Sequence, residues 1–449
     1  MDPAIDTIYA PATHADAGGI CIVRISGPRA KEVLQTVFSR PVCDRPRVMT
    51  YGHVTDGGRV LDECMAVFFP APWTYTREDV AELHLHASPA GVAGVLSLLA
   101  SQGLRLADPG EFTRRAFMNG RIDLSRAEAV MEFITAQTRA GAQAALSRMQ
   151  GSLCQRIEGL GARVTDLLAG IALCVDYPEH DAEEAALEDV RAGTEALIAD
   201  ANALLDTAKG GIILASGLKV AICGRPNVGK STLFNAFLGQ ERAIVTSEAG
   251  TTRDAIAERI EAGGVMMIVT DTAGIREAQA EAERLGVERA LRAQEEADLL
   301  LVVVTPELAP GDIELMEKTR DRTRLIAVNK CDIFTPDMDA LGQDAPDAMP
   351  VSAKTGQGLE DLKRAVVERV LGEGFAPPPV AIANHRQKDA LMRARDALMA
   401  ARNAAIEGVP PDLIAVDLTE AAHALGEITG RTVDEDVIER VFEKFCVGK

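Results

Sequence analysis

Positive charge is in short supply. Lys and Arg number 47 against 67 Asp and Glu, a formal net charge of -20. So acidic a chain does not hold nucleic acid through a general positive field; only a local basic face would do so. Cysteine pairing patterns are missing too. The eight cysteines (Cys21, Cys43, Cys64, Cys154, Cys174, Cys223, Cys331 and Cys446) are scattered, and no C-x-x-C occurs. This speaks against a disulfide framework or a thiolate zinc site and points to a reducing compartment. The opening MDPAIDTIYA carries acids where a secretory signal needs cations. No apolar run comes near the roughly 20 residues that span a bilayer; the best, Leu299 to Val304, reads as a buried strand. The expectation is a cytoplasmic protein with no membrane association.

What is present suffices for several cores. The 449 residues correspond to roughly two to four domains. A composition 47% hydrophobic and 25% charged is that of a globular chain. Residues 1–120 mix strand-like runs at 20–27, 65–72 and 80–87 with helical stretches at 28–38 and 89–102, an α+β pattern. From about 122 an Ala-rich helix runs through LSRAEAVMEFITAQTRAGAQAALSRMQ, and two more long helices follow. The stretch 176–206 holds ten acids against the single base Arg191, which reads as a solvated helix face. From Lys219 to about 372 strands alternate with helices, which implies a parallel sheet covered on both faces. GEGFAPPPV (372–380) is a linker by composition, and helices resume at 385–407, 411–426 and 433–445. The fold class expected is multidomain α/β plus α: an α+β domain (1–120), a helical domain in two parts (121–215 and 375–449), and an inserted doubly wound domain (216–374).

The strongest local signal is KVAICGRPNVGKST. An apolar strand runs into Gly224-x-x-x-x-Gly229-Lys230-Ser231 and then into a helix. Backbone N–H groups of Asn227, Val228 and Gly229 can wrap phosphates at that helix N-terminus, with Thr232 one residue further in. Lys230 meets the β- and γ-oxygens, and the Ser231 hydroxyl ligates Mg²⁺. Asp271-Thr272-Ala273-Gly274 follows a strand and suits an Mg²⁺-linked carboxylate with a glycine N–H facing the γ-phosphate. In Asn329-Lys330-Cys331-Asp332 a carboxylate can accept both the ring N–H and the exocyclic amine of guanine, a pair adenine lacks. Ser352, Ala353 and Lys354 of VSAK close the base pocket. Order and spacing resemble the translation-factor-like GTPases, with GTP as the nucleotide. The first switch lies at Thr246, Ser247 and Glu248-Ala249-Gly250-Thr251-Thr252, with Thr252 as a second Mg²⁺ ligand. Where Ras-like enzymes carry a water-orienting glutamine, this chain has Ile275. Asn227 resembles the asparagine of cation-dependent GTPases, in which K⁺ takes the place of an arginine finger. That likeness extends the K⁺ site to Thr246, Glu248 and Thr251 and makes Glu283 the water-orienting candidate.

The chain ends in Phe445-Cys446-Val447-Gly448-Lys449. Taken with VRISG (23–27), YTREDVAELHLH (75–86), DPGEFTRRAFMNGRIDLSRAEAV (108–130), AGTTRD (249–254) and DTAGIRE (271–277), it resembles the MnmE (TrmE) family of tRNA uridine-modification GTPases over nearly its whole length. That resemblance implies a folate-binding, dimerising N-terminal domain and a Ras-like G domain inserted into the helical one. It implies a homodimer working with the flavoprotein MnmG, which carries FAD, in a heterotetramer. Its substrate would be tRNA, whose wobble uridine gains an aminomethyl or carboxymethylaminomethyl group at C5. The one-carbon unit would come from methylene-tetrahydrofolate, with 5-formyl-tetrahydrofolate as the related ligand.

Carried over residue by residue, Arg24, Glu82, Arg121 and Lys449 match family folate contacts, with Arg121 standing where the family usually has lysine. Cys446 is a candidate nucleophile beside the folate. Leu85-His86-Ala87-Ser88 departs from the family's usual G-H-G-G, which alters the edge of the folate pocket. His84 and His86 alternate on a strand and are read as hydrogen-bonding residues, not metal ligands. Two basic clusters, Arg114, Arg115, Arg121 and Arg126, and Arg386, Lys388, Arg393, Arg395 and Arg402, are read as solvated faces before tRNA contacts. Two other classes compete. A regulatory or ribosome-assembly GTPase switch leaves the first 120 residues without a task, and a stand-alone folate enzyme leaves the G domain without one.

Overall fold

The computed structural model describes residues 6–13, 18–176, 180–240, 257–271, 291–334, 345 and 348–448, with backbone alone at 180–183 and 240. Two compact units form: Met1–Met131, Cys154–Ala162 and Ala422–Lys449 make one, and Glu132–Leu153 and Arg163–Ala421 make the other. The architecture is multidomain α/β plus α.

In the first unit, β1 (Ile8–Pro11), β2 (Ile20–Ser26), β3 (Thr50–Asp56), β4 (Arg59–Phe69), β5 (Val80–His86) and β6 (Arg105–Leu106) form one sheet, in the order β3-β4-β5-β2-β1-β6. Side chains alternate across a strand. Cys21, Val23 and Ile25 of β2 and Ala81, Leu83 and Leu85 of β5 therefore share a buried face, packed with Leu34 of α1 (Ala30–Val37) and Val95 and Leu99 of α2 (Pro89–Ser101). The opposite face carries Arg24 directly across from Glu82 and Ile22 across from His84. The Ser88 hydroxyl accepts the Gly91 N–H at 3.3 Å, so this departure from the family pattern caps α2.

Next come α3 (Glu111–Met118) and α4 (Leu124–Thr135). Arg115 corrects the expectation of a solvated basic face. Only 5% exposed, it donates to Glu111 Oε1 at 3.0 Å, Asp6 Oδ1 at 2.5 Å and Glu78 Oε1 at 3.2 Å. Its charge is spent inside the unit.

The remaining helices before the second sheet are α5 (Arg139–Met149), α6 (Ser152–Asp176), α7 (His180–Leu205) and α8 (Ala208–Ser216). The single Ala-rich helix expected from about 122 is thus two, α4 and α5. Thr138 makes the break by capping α5, its hydroxyl accepting the Gly141 N–H at 3.0 Å. A short polar side chain offers the backbone an alternative to continuing the helix.

The second sheet comprises β7 (Leu218–Cys223), β8 (Ala257–Ala262), β9 (Val265–Asp271), β10 (Leu299–Val304), β11 (Arg324–Val328) and β12 (Ala348–Pro350), ordered β12-β11-β10-β7-β9-β8. All neighbours are parallel except β8 and β9. Every residue of β10 is buried, as helix-covered faces require. The helices here are α9 (Lys230–Gln240), α10 (Pro310–Lys318) and α11 (Leu359–Leu371). Helices α12 (His385–Glu407), α13 (Pro411–Thr429) and α14 (Glu435–Phe442) complete the chain. Arg191, the base within the acidic stretch, donates through Nε at 3.0 Å to the Ala405 carbonyl and so ties α7 to α12.

Candidate functional site

The loop between β7 and α9 approaches its neighbours too closely for side chains at its two glycines. A Cβ on Gly224 (φ +155°) would collide with the Val303 carbonyl, and one on Gly229 (φ +99°) with Asn329 Nδ2. Asn227 between them takes φ +66°, a left-handed conformation that asparagine tolerates better than most residues. The resulting concavity of backbone N–H groups at a helix N-terminus suits an anion.

Lys230, 7% exposed, donates from Nζ to the carbonyls of Gly224 at 2.8 Å and Arg225 at 2.7 Å. Ser231 Oγ donates to Asp271 Oδ2 at 2.8 Å, bringing the expected hydroxyl and carboxylate together as an all-oxygen donor set that fits Mg²⁺. Asn329, buried, brackets three loops. Its Nδ2 donates to the Val228 carbonyl and its Oδ1 accepts the Ala353 N–H, each at 2.9 Å. Lys330 Nζ reaches the Asn227 carbonyl at 2.8 Å. Ser352 Oγ donates to Asp332 Oδ1 at 2.7 Å, which orients an otherwise exposed carboxylate. Thr232 and Lys354 are exposed. Thr246, Ser247, Glu248, Ala249, Gly250, Thr251 and Thr252, with Thr272, Ala273, Gly274 and Glu283, lie outside the described residues.

One pair went unseen in the sequence. Arg225 of the phosphate loop forms a two-pronged bond to Asp312 of α10, both contacts 2.7 Å, with the Asp312 carboxylate fully buried. That bond raises the guanidinium's pKa. The signal was Arg225 itself, an unexplained cation inside the motif. Behind the loop, burial pushes the Cys223 thiol up to about 12, so it is inert packing.

In the first unit Arg24, Glu82 and Arg121 line one cavity of about 800 Å³, with Tyr75 and Trp73 among its walls. Arg24 Nε donates to Glu82 Oε1 at 2.9 Å, and its guanidinium lies 5.7 Å from the Phe112 ring centroid. The second Glu82 oxygen is 3.3 Å from His84 Nε2. Arg121 stacks 4.6 Å from the Tyr75 centroid. Cation, carboxylate and aromatic walls fit a flat heterocycle with an acidic tail. His86 bonds Asp62 at 2.8 Å, a contact that raises its pKa.

Cys446 is exposed and does not line this cavity. Its carbonyl accepts the Gly110 N–H at 3.3 Å, two residues before Phe112. Lys449 lies outside the described residues.

Two family models match the chain: "GTP-binding protein TrmE N-terminus" over residues 7–121 and "MnmE helical domain" over residues 124–446. A tRNA modification GTPase MnmE of Syntrophotalea carbinolica is 41% identical over 454 residues, covering 99% of each chain. Its counterpart from a Roseiflexus species is 42% identical over 460 residues, with the same coverage. Among solved structures, a GDP–aluminium fluoride complex of Aquifex aeolicus Era covers 40% of this chain and 66% of its own, at 29% identity and a TM-score of 0.28. Among the described residues no helix is long and apolar enough to cross a membrane.

Proposed function

The chain belongs to the MnmE family of tRNA modification GTPases, and from that premise we propose that it hydrolyses GTP to drive C5 modification of the tRNA wobble uridine, as a cytoplasmic homodimer partnered by the flavoprotein MnmG. The observation that carries this reading is the meeting of Lys230, Ser231, Asp271, Asn329 and Asp332 at the ends of parallel strands of one sheet.

The phosphate loop from Asn227 to Thr232 holds the phosphates, and Lys230 moves from its carbonyl partners to the β- and γ-oxygens. Asp332, steadied by Ser352, accepts both donors of the guanine edge. Ser231 and Thr252 would hold Mg²⁺, with Asp271 behind them. Asn227, Thr246, Glu248 and Thr251 would hold K⁺. These ions supply positive charge where it develops on the phosphates. Glu283 orients the attacking water that Ile275 cannot. Of Thr272, Ala273 and Gly274, the glycine N–H would sense the γ-phosphate.

Arg24, Glu82, Arg121 and Lys449 would hold a tetrahydrofolate, which supplies the one-carbon unit when bound. Arg24 and Lys449 suit its carboxylates and Glu82 its pterin donors. Cys446, which does not line that cavity, would have to approach the folate from outside its walls to act as the nucleophile. Residues 1–120 form the folate domain, 216–374 the G domain, and 121–215 with 375–449 the helical domain. FAD belongs to the partner.

Nucleoside mass spectrometry of bulk tRNA tests the function. Deleting the gene should abolish C5-aminomethyl-type uridines, with rescue by wild type and none by Asp271→Ala. An unchanged profile on deletion would remove the modification reading and leave a GTPase switch.

A further inference from the structure

We propose that the cavity of the first unit takes its folate in polyglutamylated form, and that Arg47 and Arg77 bind the carboxylates of the γ-linked glutamate chain. The inference rests on the folate reading above. The cavity carries more positive charge than the folate head and one glutamate use. Its half-buried Arg24 is already matched by Glu82 at 2.9 Å. Three further guanidiniums line it at exposed positions: Arg47, Arg77 and Arg121. Arg47 donates to the Trp73 carbonyl at 2.7 Å and Arg77 to the Asn119 carbonyl at 2.8 Å, while Arg121 lies on Tyr75. Among the described residues none of the three is paired with a carboxylate.

A single glutamate tail brings two carboxylates, and each γ-linked residue adds one net negative charge. Arg24 and Arg121 meet the two carboxylates of the first tail residue, and the two remaining forks lie open to the next ones. Planar guanidinium forks match carboxylates bidentately.

A second observation points the same way. Arg47 and Arg77 take φ +66° and +61°, in the left-handed region that residues with side chains adopt at a cost. Glycine or asparagine would fill both turns with less strain, so the guanidinium is what these positions add to the cavity. Phosphates of tRNA share the anionic chemistry. The glutamate chain is favoured because both arginines line the very cavity that Arg24, Glu82 and Arg121 share.

Calorimetric titration of the full chain with mono- and pentaglutamyl 5-formyl-tetrahydrofolate tests this. Wild type should bind the pentaglutamate on the order of tenfold tighter, with the gap closing as salt rises. The double variant Arg47→Asn/Arg77→Asn, chosen because asparagine tolerates left-handed backbone, should bind both forms equally. Equal wild-type affinity for both forms overturns the proposal and leaves the folate reading standing. Failure to bind either form overturns both. A double variant that keeps the gap yet loses tRNA affinity assigns the arginines to phosphates and also overturns it. The wild-type comparison needs no substitution to fold.

Discussion

At Asp332 an exposed carboxylate is steadied by the Ser352 hydroxyl at 2.7 Å, just past the end of β11. Under the proposed reading it meets two guanine donors, and an amide there would present its own N–H groups to them. Asp332→Asn should therefore weaken GTP turnover by about 10²- to 10⁴-fold, while XTP, which offers an acceptor in place of the amine, should become the better substrate. Turnover of both nucleotides checks this; an unchanged preference for GTP would take guanine recognition away from Asp332. Most of this pocket was legible because each motif sits at the end of a strand, where sequence order dictates spatial order. Two things were not. Asn329 brackets three loops through its own amide, a role its place in a base-binding motif conceals. Asp312 lies 87 residues from Arg225, and no local pattern announces a pair so distant in sequence.

Among the elements, α3 shows how a helix can mislead when read from composition. Arg114 and Arg115 are adjacent and look alike in sequence, yet on a helix neighbouring residues point about a quarter-turn apart or more. Arg114 stays near the surface, and Arg115 turns into Glu111, Asp6 and Glu78. Burial by itself would raise the Glu111 pKa; bonds from Arg105, the Asp108 N–H and Arg115 outweigh it and leave the pKa lowered from 4.5. Asp6 is lowered from 3.8 by the same two arginines, again against its burial. Carboxylates with depressed folded pKa values stabilise the fold above their ordinary range and lose that contribution as pH falls through the folded values. Removing Arg115 takes the cation from the largely buried Glu78, while Glu111 and Asp6 are left with Arg105 alone. Arg115→Met should cost about 3–5 kcal/mol near neutrality and less as pH falls through the lowered folded values, where the acids protonate. Thermal melting against pH reads this out, and a penalty equal at pH 7 and pH 3 would contradict it. Element types themselves were legible from periodicity. The strands β1, β3 and β6 escaped because they are short or polar, and the α4–α5 break escaped because one Thr138 hydroxyl made it.

Over the whole molecule, the net charge of -20 sits beside two strongly local cationic features, the Lys230 loop and the arginine-lined cavity. Acidic bulk with basic pockets fits small anionic ligands better than a broad nucleic-acid grip, which agrees with the proposal that a partner protein supplies much of the tRNA contact. The units assemble from stretches far apart in sequence. Pairing of that kind rests on long-range contacts that no window of sequence contains, so resemblance informed the domain reading more than periodicity did.

The central claim is that one chain couples GTP hydrolysis to one-carbon transfer onto tRNA. Its most direct test is a reconstituted reaction of this chain, the proposed flavoprotein partner, undermodified tRNA and methylene-tetrahydrofolate labelled at the methylene carbon. The label should appear in the methylene carbon bonded to C5 of the wobble uridine with wild type and GTP, and should be absent with GDP or with Arg24→Ala. Label transfer that proceeds equally without this chain, or without GTP, would contradict the account.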